Sequence, residues 1–110
     1  MKFDEAWDHV QLKSGGSLLG KVTNPTFEIT LDGTDTTITL ENRWVISIVF
    51  RNKTGLNVDH VASVNGSQLF GTVKTDPIVF ESIETGRITI PQRDILALSL
   101  TYDLDKTAWA

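Results

Sequence analysis

Apolar residues recur at every second position over short stretches of this chain: Val10 and Leu12; Leu18, Gly20 and Val22; Phe27, Ile29 and Leu31; Ile38 and Leu40. Successive side chains of a strand point to opposite faces, so each stretch predicts a strand with one apolar face. Between them stand SGG, TNP, DGTD and ENR, residue types that set or permit turn backbone. A further stretch carries Ile46, Ile48 and Phe50. The rhythm then starts again with Val61, runs through Leu69, Gly71 and Val73, Ile78 and Phe80, and Ile88 and Ile90, and ends on Leu96, Leu98 and Leu100. Five short strands are predicted in each half of the chain.

The halves share residues as well as rhythm. A shift of 51 lays Asp8, His9, Val10, Gly15, Leu18, Gly20 and Val22 on Asp59, His60, Val61, Gly66, Leu69, Gly71 and Val73. With one residue dropped in a turn, Ile38, Thr39 and Arg43 fall on Ile88, Thr89 and Arg93. The reading is an internal duplication, with unit one at 8–50, unit two at 58–100, RNKTGLN between them, and terminal arms at 1–7 and 101–110. The fold expected is all-β: two five-stranded units in one compact domain, arranged as fused small barrels or as a shared sandwich.

Four details refine this expectation. The last strand of each unit, WVISIVF and DILALSL, is apolar at both phases of the alternation, which predicts burial on both faces. Gly15 and Gly66 belong to hairpin turns that need a positive φ. Gly20 and Gly71 lie inside strands, where glycine weakens pairing and marks a bend or a close backbone approach. A short helix is expected over residues 3 to 8.

The order V-x-L-x-x-G-x-x-L-x-G-x-V, an F-x-I strand, I-T-I or I-T-L, and a terminal apolar strand resembles the tandem modules that precede the β-barrel of bacterial salt-induced outer-membrane proteins of unknown function. The resemblance covers residues 8 to 100 and implies a bacterial setting, with no catalytic residue. The bent, glycine-bearing second strand is also similar to that of Sm-like or SH3-like small barrels. Sm-like proteins bind RNA through an Asp and Asn signature after that strand. Here the stretches read TNPTFEI and KTDPIVF, and Asn24 and Asp76 are poor matches to it.

Composition supports strands and removes several functions. Fourteen Thr, nine Val and nine Ile favour the pleated strand through their branched side chains. A net charge of −4, with the basic residues scattered, repels a nucleic-acid backbone. Zero cysteine rules out disulfides and thiolate chemistry, and fits either the cytoplasm or a bacterial envelope. No signal-peptide-like stretch and no membrane-spanning run stands in the sequence given, so the compartment stays open.

Candidate sites are few. His9 and His60 are the only histidines, each between Asp and Val. Asp8, His9, Asp59 and His60 are the positions a metal would use if the two units brought them together, although the reading assigns no metal and no cofactor. No paired carboxylates stand among apolar residues, and Ser14, Ser17, Ser63 and Ser67 lack a nucleophile setting, so no catalytic residue is assigned and the protein is read as not an enzyme. Arg43 and Arg93 are expected to pair with nearby carboxylates or turn carbonyls. The sequons at Asn52 and Asn65 are read as chance. Trp7, Trp44 and Trp109 are the interface candidates, because Trp is enriched at binding hot spots.

The function expected is a non-enzymatic interaction or assembly module, bacterial, acting with another protein or with itself as a homo-oligomer, and without nucleic acid or a membrane span. The alternative is a small-ligand or metal-binding domain at the seam between the units, where His9 and His60 would meet.

Overall fold

The structure is a computed structural model of the 110-residue chain and describes residues 7–51 and 57–101. Ten strands form among the described residues: β1 (Asp8–Leu12), β2 (Ser17–Val22), β3 (Thr26–Leu31), β4 (Thr37–Glu41), β5 (Val45–Val49), β6 (Asp59–Ser63), β7 (Gln68–Val73), β8 (Ile78–Ser82), β9 (Gly86–Ile90) and β10 (Ile95–Ser99). The all-β expectation holds, with five strands in each segment. Single 3-10 turns at Asn42–Trp44 and Gln92–Asp94 lead into β5 and β10. The expected helix over 3 to 8 falls mostly outside the described residues, and Asp8 already belongs to β1.

All ten strands lie in one curled antiparallel sheet, in the order β4-β3-β7-β6-β5-β10-β1-β2-β8-β9. Exchanging each strand for the one five places along the chain returns the same order read from the other edge. The two segments are interwoven. Hairpin β3–β4 leaves its own segment and pairs with β7, through Ile29 with Val73, Thr30 with Thr72 and Leu31 with Gly71. Hairpin β8–β9 pairs with β2, through Lys21 with Glu81 and Val22 with Phe80. In the middle, β5 pairs with β10.

This weave explains the glycines inside strands. A Cβ on Gly71 would sit 2.0 Å from the Thr30 carbonyl oxygen, and one on Gly20 would sit 2.3 Å from the Glu81 carbonyl oxygen. Each glycine lies where the hairpin of the other segment crosses, and only hydrogen fits between the backbones. Gly15 and Gly66 take positive φ, 103° and 98°, as their turns require.

One side of the sheet closes on a single core containing Val10, Phe27, Ile29, Ile48, Val61, Ile78, Phe80 and Leu98. The terminal strands depart from the expected double burial. In β5 the buried residues are Val45 and Ile48, while Ile46, Ser47 and Val49 are half-buried. In β10 Ile95 and Leu98 are buried, and Leu96 and Ala97 half-buried. The cause is an irregularity of register. Across β5 and β6 the partners step from Val45–Ser63 to Ser47–Ala62, and across β1 and β10 from Gln11–Ala97 to Leu12–Ile95. Ile46 and Leu96 are the extra residues of β-bulges, which shift the buried phase by one position. The apolar doubling in the sequence is the mark of that bulge.

Amide side chains pin the bends. Asn42 donates to the carbonyls of Val22 and Asn24 at 3.1 and 3.0 Å. Gln92, at the same place in the second segment, donates to those of Val73 and Thr75 at 3.0 and 2.9 Å.

Candidate interaction surface

The repeated aspartates are built into the sheet. Asp8 is buried, and one of its carboxylate oxygens accepts the Val22 N–H at 2.8 Å while the other accepts the N–H and hydroxyl of Thr101 at 2.7 and 2.8 Å. Asp59 is buried in the same way; it accepts the Val73 N–H at 2.8 Å and the Arg51 N–H at 2.7 Å. Each carboxylate thus joins the ends of the two strands flanking its own. A buried carboxylate is tolerable only when its lone pairs are taken up by donors such as these. These contacts account for the Asp of each Asp-His-Val.

The histidines do not meet. Paired residues of an antiparallel sheet share a face, so the pairings His9–Ser99–Ser47 and His60–Val49–Ala97 put both rings on the side away from Val10, Leu98, Ile48 and Val61. Strands β10 and β5 lie between them, and three strand spacings are roughly 14 Å. His60 instead stacks on its cross-strand neighbour Phe70, with ring centroids 4.7 Å apart, and hydrogen-bonds Gln68. Among the described residues no three His, Cys, Asp or Glu side chains converge on a point where they could hold an ion. Asp8 and Asp59, their carboxylates committed to backbone amides and to the side chains of Thr101 and Arg51, the latter with Nε 3.3 Å from Asp59 Oδ1, stay with the core.

The other singled-out residues lie at the periphery. Arg43 pairs with Glu41 at 2.8 Å on exposed surface and lies 5.1 Å from the ring centroid of the half-buried Trp44. Arg93 is exposed. Trp7 lines a shallow apolar depression with Leu19, Ser82, Ile83 and Glu84, where Leu19 is 54% and Ile83 90% exposed. Trp109 and Asn52 lie outside the described residues, while Asn65 is exposed in the turn after β6.

The edges of the sheet are β4 and β9, each with a single neighbour among the described strands. The direction of their backbone groups follows from the ladders. Leu31 N–H donates to the Thr36 carbonyl at 2.9 Å, and hydrogen-bonded pairs alternate with non-bonded ones in an antiparallel ladder. In the register of β3 with β4, Phe27–Leu40 and Ile29–Ile38 are therefore bonded pairs, whereas Glu28–Thr39 and Thr30–Thr37 are not. The N–H and C=O groups of Thr37, Thr39 and Glu41 point outward. On the other edge, Val79 uses its backbone toward β2: its carbonyl accepts the Thr23 N–H and its N–H donates to Asn24 Oδ1. Its β9 partner Thr89, and Arg87 two residues before it, face outward in consequence. Sequence reasoning reached the existence of open edges but not which strands form them, because the exchange of hairpins leaves no local mark.

Comparison with known protein families, with curated proteins and with solved structures found no match to this chain.

Proposed function

We propose that this chain is a non-enzymatic assembly module that joins a strand of another polypeptide to its sheet edges. The observation that carries the reading is the pair of edge strands with outward backbone donors and acceptors. Such groups recruit a further strand when nothing covers them. Neither edge strand is interrupted by an internal proline or bulge: β4 reads TITLE and β9 GRITI, with a single charged side chain each, Glu41 and Arg87. The apolar depression at Trp7, next to the turn that enters β9, adds a contact surface of the kind found at interfaces. The resemblance to modules of bacterial outer-membrane proteins supports a bacterial setting for this role.

The test is light scattering over a wide concentration range, on the native chain and on a variant carrying both Thr39→Pro and Thr89→Pro. Proline at these two positions removes outward N–H groups and leaves the internal ladders intact. The expected outcome is a native chain whose mass rises with concentration and a variant that stays at 12.2 kDa with an unchanged circular dichroism spectrum. Identical behaviour of the two folded proteins would sink the proposal.

A further inference from the structure

Resting on the edge-assembly reading, we infer that the occupant of each edge is a second copy of this chain, joined head to tail, with β4 of one copy pairing antiparallel to β9 of the next. Ten alternating strands leave β4 and β9 running in opposite directions, so continuing the sheet from one copy into another preserves the antiparallel alternation.

One register satisfies three independent requirements. Thr39 set opposite Thr89 places Glu41 opposite Arg87, Leu40 opposite Ile88 and Ile38 opposite Ile90. First, Thr39, Glu41, Thr89 and Arg87 are among the residues whose backbone groups face outward, so Thr39–Thr89 and Glu41–Arg87 form complete hydrogen-bonded pairs. Second, the faces agree. Leu40 and Ile88 both pack against the core, while Thr39, Glu41, Arg87 and Thr89 are all exposed. A slip of one residue would set apolar side chains against the exposed ones. Third, the charges agree. Arg87 already pairs with Glu81 at 3.3 Å and Glu41 with Arg43 at 2.8 Å. Bringing Arg87 to Glu41 makes an alternating row of Glu81, Arg87, Glu41 and Arg43 across the junction. A slip of two residues in one direction sets Arg87 opposite Arg43, and in the other it leaves Glu41 opposite Thr85.

Head-to-tail pairing uses a different strand on each side of the junction, whereas a two-fold junction uses the same strand twice. Two half-blocked chains separate these arrangements: Thr39→Pro, which closes β4, and Thr89→Pro, which closes β9. Expected is a monomer for each alone and a discrete heterodimer on mixing them, read by light scattering or native mass spectrometry. A dimer of either half-blocked chain alone would overturn head-to-tail pairing and leave edge assembly standing. Mixed chains that stay monomeric while the native chain still associates would also overturn it. A native chain monomeric at every concentration overturns this inference and the edge-assembly reading together, whereas the two preceding outcomes overturn head-to-tail pairing alone. The register has its own readout. Glu41→Arg in the Thr89→Pro chain should weaken the heterodimer by about threefold, the size expected of an exposed ion pair, and Arg87→Glu in the other chain should restore it. Indifference to both changes would overturn the register.

Discussion

At the junction of β2 with β8, Asn24 accepts the Val79 N–H at 2.8 Å and donates to the Pro77 carbonyl at 3.2 Å, while buried to 8% exposure. At the junction of β3 with β7, the residue 51 positions later is Thr75. Its hydroxyl accepts the Glu28 N–H at 2.9 Å, on exposed surface. Glu28 and Val79 are themselves equivalent, so the same backbone donor meets a side-chain oxygen in both places. What differs is depth and the number of bonds. The fold requires an acceptor there, and the side chain that carries it can change. The glycines differ in a parallel way. The contacts nearest a Cβ at Gly71 are all backbone atoms, of Thr30 and Asp32, whereas at Gly20 two of the three are the Phe80 and Ser82 side chains.

The largest effect should come from the crossings. Gly71→Ala is expected to lose at least about 3 kcal/mol of stability, and Gly20→Ala less, because a backbone cannot move aside as a side chain can. Urea denaturation of both variants measures this, and an equal or reversed order would remove the distinction between the junctions. Next come the buried carboxylates. Asp8→Ala and Asp59→Ala each strand inward-facing backbone N–H groups, and each is expected to cost about 3 kcal/mol. Their sum of effects should be similar although Arg51 serves Asp59 and Thr101 serves Asp8, because the shared element is the amide hydrogen bonding. The exposed Arg51 side chain adds little in water. A much larger loss for Asp59 in the same denaturation series would show the ion pair to matter more. Smallest is the clamp pair. Asn24→Ala is expected to cost about 2 kcal/mol and Thr75→Ala about 1 kcal/mol or less, in line with two bonds in a buried site against one on the surface. Thermal unfolding of the two variants side by side reads the difference.

The strands were legible in the sequence because a half-buried strand writes its own alternation, as in Phe27, Ile29 and Leu31. Gly20 and Gly71 were legible as points of close approach, but what approaches them is a strand from the other segment, and nothing local names it. The same holds for Asp8 and Asp59, whose partners at Thr101 and Arg51 depend on strand order. The extra apolar residues Ile46 and Leu96 suggested a strand buried on both faces, since a bulge and double burial produce the same run of residues. Asn42 and Gln92 share a function across two residue types, so identity matching passes over them, and their chemistry as primary amides was the available signal.

The exchanged hairpins have a consequence for how the molecule holds together in dilute solution. Segments 8–50 and 58–100 each complete the other's sheet, so as separate peptides they would have to find each other by collision, and their folded fraction would fall on dilution. The residues between them turn that encounter into an event within one molecule, at an effective concentration set by the connecting chain and not by the cell. Cutting the chain in that connection should leave every contact of the sheet in place and yet make its stability depend on how much protein is present.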